Sequence, residues 1–243
     1  MPAFSMINFS HGRITFFLKY HSFTDSSMIK PDQYQTYRES LLAGERRDCA
    51  RIVQNLLEIN TDPMEIYIEL FQRSLYEVGE LWESNRISVA TEHIATAITE
   101  SLMTMLHPRV FATPRKPFRA IISCGANEYH QVGAKIVADT FELYGWRTTF
   151  LGANTPSETL LDAVQRQRPS VVGLSLSIYF NLAGFLDLAG ELRTSHPDLS
   201  LVAGGQAFRH GGRDAIAALG CFLVQDIRDL PRHLHTWERG HAA

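Results

Sequence analysis

Several patterns are missing from this sequence, and each absence excludes a class of protein. Only three cysteines occur among 243 residues. Cys49, Cys124 and Cys221 are far apart and each lies in an apolar stretch, which predicts reduced core residues and argues against a disulfide framework or a zinc site. No apolar run reaches the length of a membrane span, and residues 1–30 lack the order of regions found in a signal peptide. We therefore expect a cytoplasmic protein with no membrane partner.

An excess of positive charge is also missing. Lys and Arg total 23 against 26 Asp and Glu, so the net charge is −3 at pH 7, which gives no overall case for nucleic-acid binding. No Gly-x-Gly-x-x-Gly loop follows the first predicted strand, which disfavours a nicotinamide cofactor. What is present is typical of a globular protein, with 45% hydrophobic and 20% charged residues. The length allows one or two domains.

The first half of the chain predicts an irregular arm followed by helices. Residues 1–30 mix aromatic residues with Ser, Gly and His without a period, which indicates a mobile N-terminal arm or, alternatively, a segment that docks a partner. Residues 31–107 predict a four-helix bundle, with helix starts at Asp62-Pro63 and Ser88. Apolar stripes support two of these helices: Cys49, Ile52, Val53, Leu56 and Leu57 in one, and Val89, Ala97, Ile98, Leu102 and Met105 in the other.

The second half predicts a linker and an α/β domain. Residues 108–118 are rich in proline and basic residues, and we interpret them as a solvated tether. Strands and helices alternate in residues 119–243, which indicates a doubly wound parallel sheet with the flavodoxin-like (Rossmann-type) order 2-1-3-4-5. The predicted strands are 119–124, 147–152, 170–176, 199–204 and 221–225. The predicted helices are 130–144, 156–166, 182–194, 212–219 and 227–237.

A polar loop follows the first predicted strand and carries Glu128, His130 and Gly133. Open α/β sheets bind ligands at the carboxyl ends of their strands. An imidazole at that edge can bind a metal, and a carboxylate two residues earlier can hold the ring in place. Gly133 would let a bulky ligand approach the backbone. On its own, this motif is more typical of a solvated loop histidine than of a metal ligand.

Two further motifs strengthen the case for a binding site. Ser175 and Ser177 follow the third predicted strand, and Gly204-Gly205 ends the fourth. In the order 2-1-3-4-5, strands 1, 3 and 4 are neighbours, so these residues and the His130 loop converge at one edge of the sheet. The two glycines alone are also consistent with a simple turn.

Together these motifs resemble the cobalamin-binding domain shared by methionine synthase, corrinoid carrier proteins and B12-dependent mutases. The family pattern is Asp-x-His-x-x-Gly, then Ser-x-Leu, then Gly-Gly, with separations like those between Gly133 and Ser175 and between Ser177 and Gly204. The resemblance covers residues 117–237. Glu128 stands in place of the family's Asp, and a Glu can still reach an imidazole. Ser177 stands in place of the family's Leu, which puts in question only the detailed packing around the cofactor tail.

The resemblance implies cobalamin as the cofactor, as adenosylcobalamin or hydroxocobalamin. It implies that His130 is the lower ligand of the cobalt and that Glu128 orients its ring. Ser175 would hydrogen-bond the displaced base of the cofactor, and Gly204 and Gly205 would leave space for the nucleotide tail.

A second resemblance lies in the helical half. The spacing Trp82-x9-Glu92-His93 is similar to the helical cap of the cobalamin-dependent photoreceptor regulators, the CarH and LitR group. This implies that Trp82 covers the upper ligand, commonly a 5′-deoxyadenosyl group, and that light breaks the cobalt–carbon bond. That group commonly has His directly after the Trp, whereas this chain has Glu83, which makes His93 the nearest candidate for an upper ligand.

These observations leave three functional hypotheses. The first is a light-responsive transcriptional regulator without its own DNA-binding domain, most similar to the AerR/PpaA anti-repressors of purple photosynthetic bacteria. Such a protein would act through a DNA-binding repressor and would not itself bind specific DNA. The second is a corrinoid carrier of a methyltransferase system, and the third is a haem-binding sensor with His130 on the iron. An absorption spectrum distinguishes haem from cobalamin.

Overall fold

The computed structural model describes residues 29–241. The predicted N-terminal arm lies almost entirely outside the described residues. Within the described range, no helix is long and apolar enough to cross a membrane.

The N-terminal part is helical, and both predicted helix starts are confirmed. The Asp62 side chain accepts a hydrogen bond from the backbone N–H of Met64 at 2.8 Å. The hydroxyl of Ser88 accepts one from Thr91 at 3.1 Å. The elements are α1 (Pro31–Leu42), α2 (Arg46–Glu58), α3 (Pro63–Glu65), a π-helical segment (Ile66–Gln72), α4 (Arg73–Glu83), α5 (Val89–Met103), a 3₁₀ turn (Thr104–Leu106) and α6 (His107–Val110). Because α3, the π-helical segment and α4 are continuous, α1, α2, this long helix and α5 form the bundle.

The predicted apolar stripe is confirmed in α2 and is wrong in part in α5. In α2 the buried residues Cys49, Val53 and Leu56 lie on the predicted stripe. In α5 the prediction is wrong for Val89 and Ala97, which are exposed. The buried face of α5 consists of Ala95, Ile98, Thr99, Leu102 and Met103. Small and apolar residues occur on several sides of α5, so their spacing alone did not identify the face that packs against the bundle.

The C-terminal part is a five-stranded parallel sheet in the order β2-β1-β3-β4-β5, which confirms the predicted topology. The strands are β1 (Arg119–Cys124), β2 (Arg147–Gly152), β3 (Val171–Ser175), β4 (Ser200–Gly204) and β5 (Phe222–Val224). The helices are α7 (Val132–Leu143), α8 (Ser157–Gln167), α9 (Leu182–Ser195), α10 (Arg213–Ala218) and α11 (Leu230–His241). Short 3₁₀ turns at Tyr179–Asn181, Gln206–Arg209 and Ile227–Asp229 complete the connections.

The bundle and the sheet share a hydrophobic core. Successive strand residues face opposite sides of a sheet, and Ile121 and Ile122 accordingly belong to different clusters. The cluster around Ile122 includes Phe141 of α7 and extends to Leu70 and Phe71 of the long helix. The cluster around Ile121 is built from the opposite face of the sheet. One face of the sheet is thus covered in part by the helical domain.

A buried polar contact fixes this junction. The Tyr67 hydroxyl donates a hydrogen bond of 2.6 Å to Oδ2 of Asp139 on α7, and the two residues are 0% and 7% exposed. Burial raises the pKa of Asp139, and the hydrogen bond from Tyr67 opposes that rise. Because a buried carboxylate needs a partner, the pair holds the π-helical segment against the sheet domain.

We expect Tyr67→Phe to lower the free energy of unfolding by about 1–3 kcal/mol at neutral pH, since Asp139 would stay buried without its donor. Urea unfolding of the cofactor-free protein measures this change. Tyr129→Phe is the matched control, because Tyr129 is 65% exposed and its hydroxyl should contribute little. Equal stability of wild type and Tyr67→Phe would show that the hydrogen bond does not stabilise the junction.

The predicted solvated tether is wrong for two of its basic residues. Arg109 donates to backbone carbonyls at the end of α2, including that of Thr61 at 3.0 Å. Lys116 lies 2.6 Å from the carboxylate of Glu238 on α11, and its backbone N–H donates to the carbonyl of Gly145 at 2.7 Å. The segment is therefore docked on both domains, through contacts with residues distant in sequence.

Candidate functional site

The carboxyl ends of three strands lie in register at one edge of the sheet. Cys124 of β1 is paired with Ser175 of β3, and Ser175 with Gly204 of β4. The loops that follow these strands therefore start at the same level. One carries Glu128, His130 and Gly133, the next begins at Leu176-Ser177, and the third begins at Gly205.

Glu128 and His130 form a tight pair in the first of these loops. The Nδ1 atom of His130 lies 2.7 Å from Oε1 of Glu128, and the backbone N–H of His130 donates to the same oxygen at 2.9 Å. The Glu128 side chain is 0% exposed, whereas that of His130 is 55% exposed. Since Nδ1 faces the carboxylate, Nε2 is the ring nitrogen left to bind a metal.

The electrostatics of the pair favour an ionised carboxylate. Burial alone would raise the pKa of Glu128, but hydrogen bonds from the His130 ring and from the backbone N–H groups of Ile178, His130 and Ser177 together hold it below its usual value. The hydrogen bond to Glu128 raises the pKa of His130, burial opposes this, and the charges of Glu128 and Glu92 add to the rise. The carboxylate thus fixes the orientation of the ring.

Glu128 also joins two loops, a role that the sequence did not reveal. Its Oε2 accepts hydrogen bonds from the backbone N–H groups of Ser177 at 2.8 Å and Ile178 at 3.0 Å. Ser177 therefore reaches the site through its backbone, and its half-buried side chain lies beside Leu176. Ser175 is also half-buried, at the last position of β3. One buried carboxylate holds both the His130 ring and the start of the loop after β3.

The three motif glycines differ in what the fold requires of them. Gly205 has φ +121°, and a Cβ there would lie 2.0 Å from the carbonyl oxygen of Leu176, so only glycine fits. A Cβ on Gly204 would lie 3.7 Å from the carbonyl oxygen of Val224, an ordinary contact. A Cβ on Gly133 would meet no atom within 4 Å. Gly205 is therefore explained by the protein's own backbone, whereas Gly133 borders open space.

The helical domain presents its motif residues at the ends of two helices. Trp82 lies near the end of α4 and is 44% exposed, so it is not a core residue. Glu92 and His93 lie in the first two turns of α5, where Nδ1 of His93 is 2.5 Å from Oε2 of Glu92. The charge of Glu92 helps to raise the pKa of His130, and Glu100 of the same helix is hydrogen-bonded to Gln131, so α5 lies beside the loop after β1. Among the described residues, no hydrogen bond or ring contact joins Trp82 to Glu92 or His93.

Two sets of contacts at this edge were not predicted. The Gln131 side chain donates from Nε2 to Oε1 of Glu100 on α5 at 2.9 Å, and its Oε1 accepts from the backbone N–H of Ala153 at 3.1 Å. The backbone of Asn127 links the loops after β1, β2 and β3: its N–H donates to Oδ1 of Asn154 at 2.9 Å, and its carbonyl accepts from Nδ2 of Asn181 at 3.0 Å. The only sequence signal was the clustering of amides in loops at one edge.

Comparison with protein families gives two matches, which together span both domains. Residues 33–107 match a family model described as a B12 binding domain. Residues 118–225 match a second model with the same description. The first range covers the helical domain and the second begins one residue before β1 and ends just after β5.

Two curated relatives come from Myxococcus xanthus. The HTH-type transcriptional repressor CarH is 32% identical over 180 residues, covering 72% of this chain and 59% of that protein. The HTH-type transcriptional repressor CarA is 34% identical over 145 residues, covering 60% of this chain and 50% of that protein. The chain therefore spans between half and three fifths of the length of these relatives.

A more distant similarity concerns the fold. The monomethylamine corrinoid protein of Methanosarcina barkeri superposes with a TM-score of 0.69 at 15% identity, covering 79% of this chain and 91% of that one. The trimethylamine corrinoid protein 1 of Methanosarcina acetivorans is 19% identical over 175 residues. At this identity the superposition shows a shared fold and nothing about activity.

Proposed function

The chain belongs to the B12 binding domain family, and on that premise we propose that it is a light-responsive regulator of transcription that acts through a DNA-binding repressor. Cobalamin is the cofactor. The observation that carries the proposal is the half-exposed His130 ring, oriented by a buried carboxylate in a loop that is hydrogen-bonded to α5 through Gln131 and Glu100.

The residues at the sheet edge fit a cobalamin. The half-exposed imidazole of His130 offers Nε2 to the cobalt, an acceptable ligand for such an ion, while Nδ1 stays on Glu128. Gly133 leaves room for the ring system, because a Cβ there would meet open space. Ser175 is paired with Cys124 on one side and with Gly204 on the other, and these two residues can line a slot for the nucleotide tail.

We call the helical domain the cap, and its residues Trp82, Glu92 and His93 would form the upper side of the site. Trp82, at 44% exposure, would bury its ring against the upper axial group of the cofactor. The His93 side chain is 74% exposed, and we assign it as the candidate upper imidazole. When bound, adenosylcobalamin would supply a cobalt–carbon bond that light can break, and Trp82 would be the residue that covers the adenosyl group.

We expect Trp82→Ala to weaken binding of adenosylcobalamin by about tenfold, because a large apolar contact with the upper group would be lost. Hydroxocobalamin, which lacks that group, should bind with nearly unchanged affinity. Titrations followed by absorbance measure both affinities, and the rate of photolysis gives an independent readout. Equal losses for the two cofactors would show that Trp82 only supports the fold of the cap.

We assign DNA recognition to a partner protein because basic side chains of the linker, residues 108–118, are already bound to other groups of this protein. Specific DNA binding needs cations that are free to contact phosphates. In the linker, Arg109 is bound to carbonyls at the end of α2 and Lys116 to Glu238. Arg115 lies 3.7 Å from the carboxylate of Glu142. The net charge of −3 adds no general attraction for DNA.

A pull-down combined with a gel shift tests this assignment. The purified protein is loaded with adenosylcobalamin or hydroxocobalamin and is assayed in darkness and after illumination, with and without the repressor. We expect the protein to alter DNA binding by the repressor in a way that depends on cofactor and light. Tight, sequence-specific DNA binding by this chain alone would contradict the proposal.

The same preparation distinguishes the alternative of a corrinoid carrier. A carrier must expose the upper face of its cofactor so that a methyltransferase can reach the methyl group. Methyl transfer from bound methylcobalamin to an acceptor at enzymatic rates, with a methyltransferase supplied, would favour the carrier over the regulator.

A further inference from the structure

We infer that Gln131 is a positioning residue that couples the loop carrying His130 to the cap helix α5. The inference deepens the proposed function, on which it rests, because it identifies a path by which the state of the cofactor can reach the cap. Gln131 follows His130 directly in the chain. Its half-buried side chain contacts the cap on one side and the sheet on the other.

The two ends of the Gln131 amide have different partners. Its N–H group donates to Oε1 of Glu100 at 2.9 Å. Its oxygen accepts from the backbone N–H of Ala153, just after β2, at 3.1 Å. The amide therefore bridges α5 and the end of β2, and a displacement of the loop moves both bonds together. An amide suits this place because it offers a donor and an acceptor at once.

On α5, the residue that Gln131 binds lies on the same side of the helix as Glu92, which is near the proposed cobalamin site. Glu92, Thr96 and Glu100 are spaced by four residues and so lie along one face of α5. The Thr96 hydroxyl donates to Oε1 of Glu92 at 3.0 Å. With a rise of about 1.5 Å per residue, Glu100 lies roughly 12 Å along the helix from Glu92. Glu92 lies at the start of this face of α5. Gln131 binds the same face about two turns farther along, at Glu100.

The contacts between the long helix and α7 differ in character from the Gln131–Glu100 bond. Tyr67 and Asp139 are buried, and Met64 contacts the hydroxyl of Thr140 nearby. Those contacts belong to the long helix and to α7. Glu100 and Gln131 are only half-buried, so water can replace their hydrogen bond when it breaks. The structure therefore combines a buried junction that stays closed with a contact on α5 that can open.

Ligand-driven coupling requires that cobalamin bind one arrangement of α5 better than another. Cobalamin would touch both His130 and the start of α5, so it can meet this requirement. With cobalamin held by His130, the loop would be fixed and the Gln131–Glu100 bond would hold α5 in place. Within residues 29–241, the Gln131–Glu100 bond is the one hydrogen bond between this loop and α5.

The test uses a charge swap and its reversal. Gln131→Glu sets two carboxylates against each other, although the backbone N–H of Ala153 can still donate to the new side chain. Glu100→Gln is the matched control, because its amide oxygen can still accept from Gln131. The double variant Gln131→Glu with Glu100→Gln restores the bond with donor and acceptor exchanged. Glu100→Ala removes the bond from the cap side without altering the His130 loop.

The measurement is hydrogen exchange of α5 peptides in the full chain, with and without hydroxocobalamin in darkness. We expect cobalamin to slow exchange in α5 by about tenfold in wild type and in Glu100→Gln, the factor expected for one hydrogen bond. In the peptides around Glu100, two turns beyond the direct contact at the start of α5, Gln131→Glu and Glu100→Ala should lose this difference, while the absorption spectrum still reports an imidazole on the cobalt. The double variant should regain it.

Three results would overturn the inference. They are an unchanged response of α5 in Gln131→Glu and Glu100→Ala, no recovery in the double variant, and a wild-type α5 that does not respond to cobalamin. Failure of the proposed function gives a different result. If illumination or the repressor has no effect while the charge swap behaves as expected, the coupling stands and the regulatory role does not.

Discussion

Replacing His130 by alanine is expected to weaken cobalamin binding by at least about 100-fold, because loss of a partner that only supports a metal ligand already costs 10- to 100-fold. The protein would retain the slot beside the sheet but would lose the nitrogen that reaches the cobalt. Titration followed by absorbance measures the affinity. The spectrum of any bound cofactor should lack the signature of a protein imidazole ligand.

Two controls make this result specific. His196→Ala removes a histidine from the end of α9, which leads into β4 at the opposite edge of the sheet, and should leave binding unchanged. Added imidazole should partly restore the spectrum of His130→Ala, since the small molecule can occupy the vacated position. Wild-type affinity and spectrum in His130→Ala would refute the assignment of the site.

Glu128→Ala is expected to lower cobalamin affinity by about 10- to 100-fold and to reduce the free energy of unfolding by about 1–3 kcal/mol. The first effect follows from release of the His130 ring. The second follows because the backbone N–H groups of Ser177 and Ile178 would lose their charged acceptor. Urea unfolding without cofactor and cobalamin titration separate the two effects.

Glu128→Asp refines this experiment. The shorter side chain can reach either the imidazole or the loop after β3 more readily than both, so we expect one of the two effects to persist. Glu191→Ala, an exposed carboxylate on α9, serves as the control and should change neither quantity. A stable Glu128→Ala protein with weakened binding would show that the carboxylate supports only the ring.

The sheet and the convergence of its motifs could be predicted because they depend on local signals. Short apolar runs alternating with helical patterns identify parallel strands, and strand order then determines which loops meet. That argument placed the residues after Cys124, Ser175 and Gly204 at one edge, and their register confirms it. Asp62 and Ser88 were likewise predictable, because a helix start depends on a few neighbouring residues.

The parts that sequence reasoning missed depend on distant partners. Glu128 binds backbone groups of residues 177 and 178, and a backbone donor leaves no mark in a sequence. The contacts of Arg109 and Lys116 require the positions of α2 and α11. The exposed face of α5 is apolar at Val89 and Ile94, so hydrophobicity could not distinguish it from the buried face. The comparisons leave the individual site residues as predictions.

The conformation of Gly205 has an evolutionary consequence. Because its φ of +121° and its approach to Leu176 are demanded by the backbone, this glycine should persist in any descendant that keeps the sheet, whether or not it keeps the cofactor. His130 and Gly133 face no such demand from the protein's own atoms. In a lineage that abandons cobalamin, those two positions should drift first. A homologue that keeps Gly205 but has another residue in place of His130 would therefore retain the fold of the binding site without its ability to bind cobalamin.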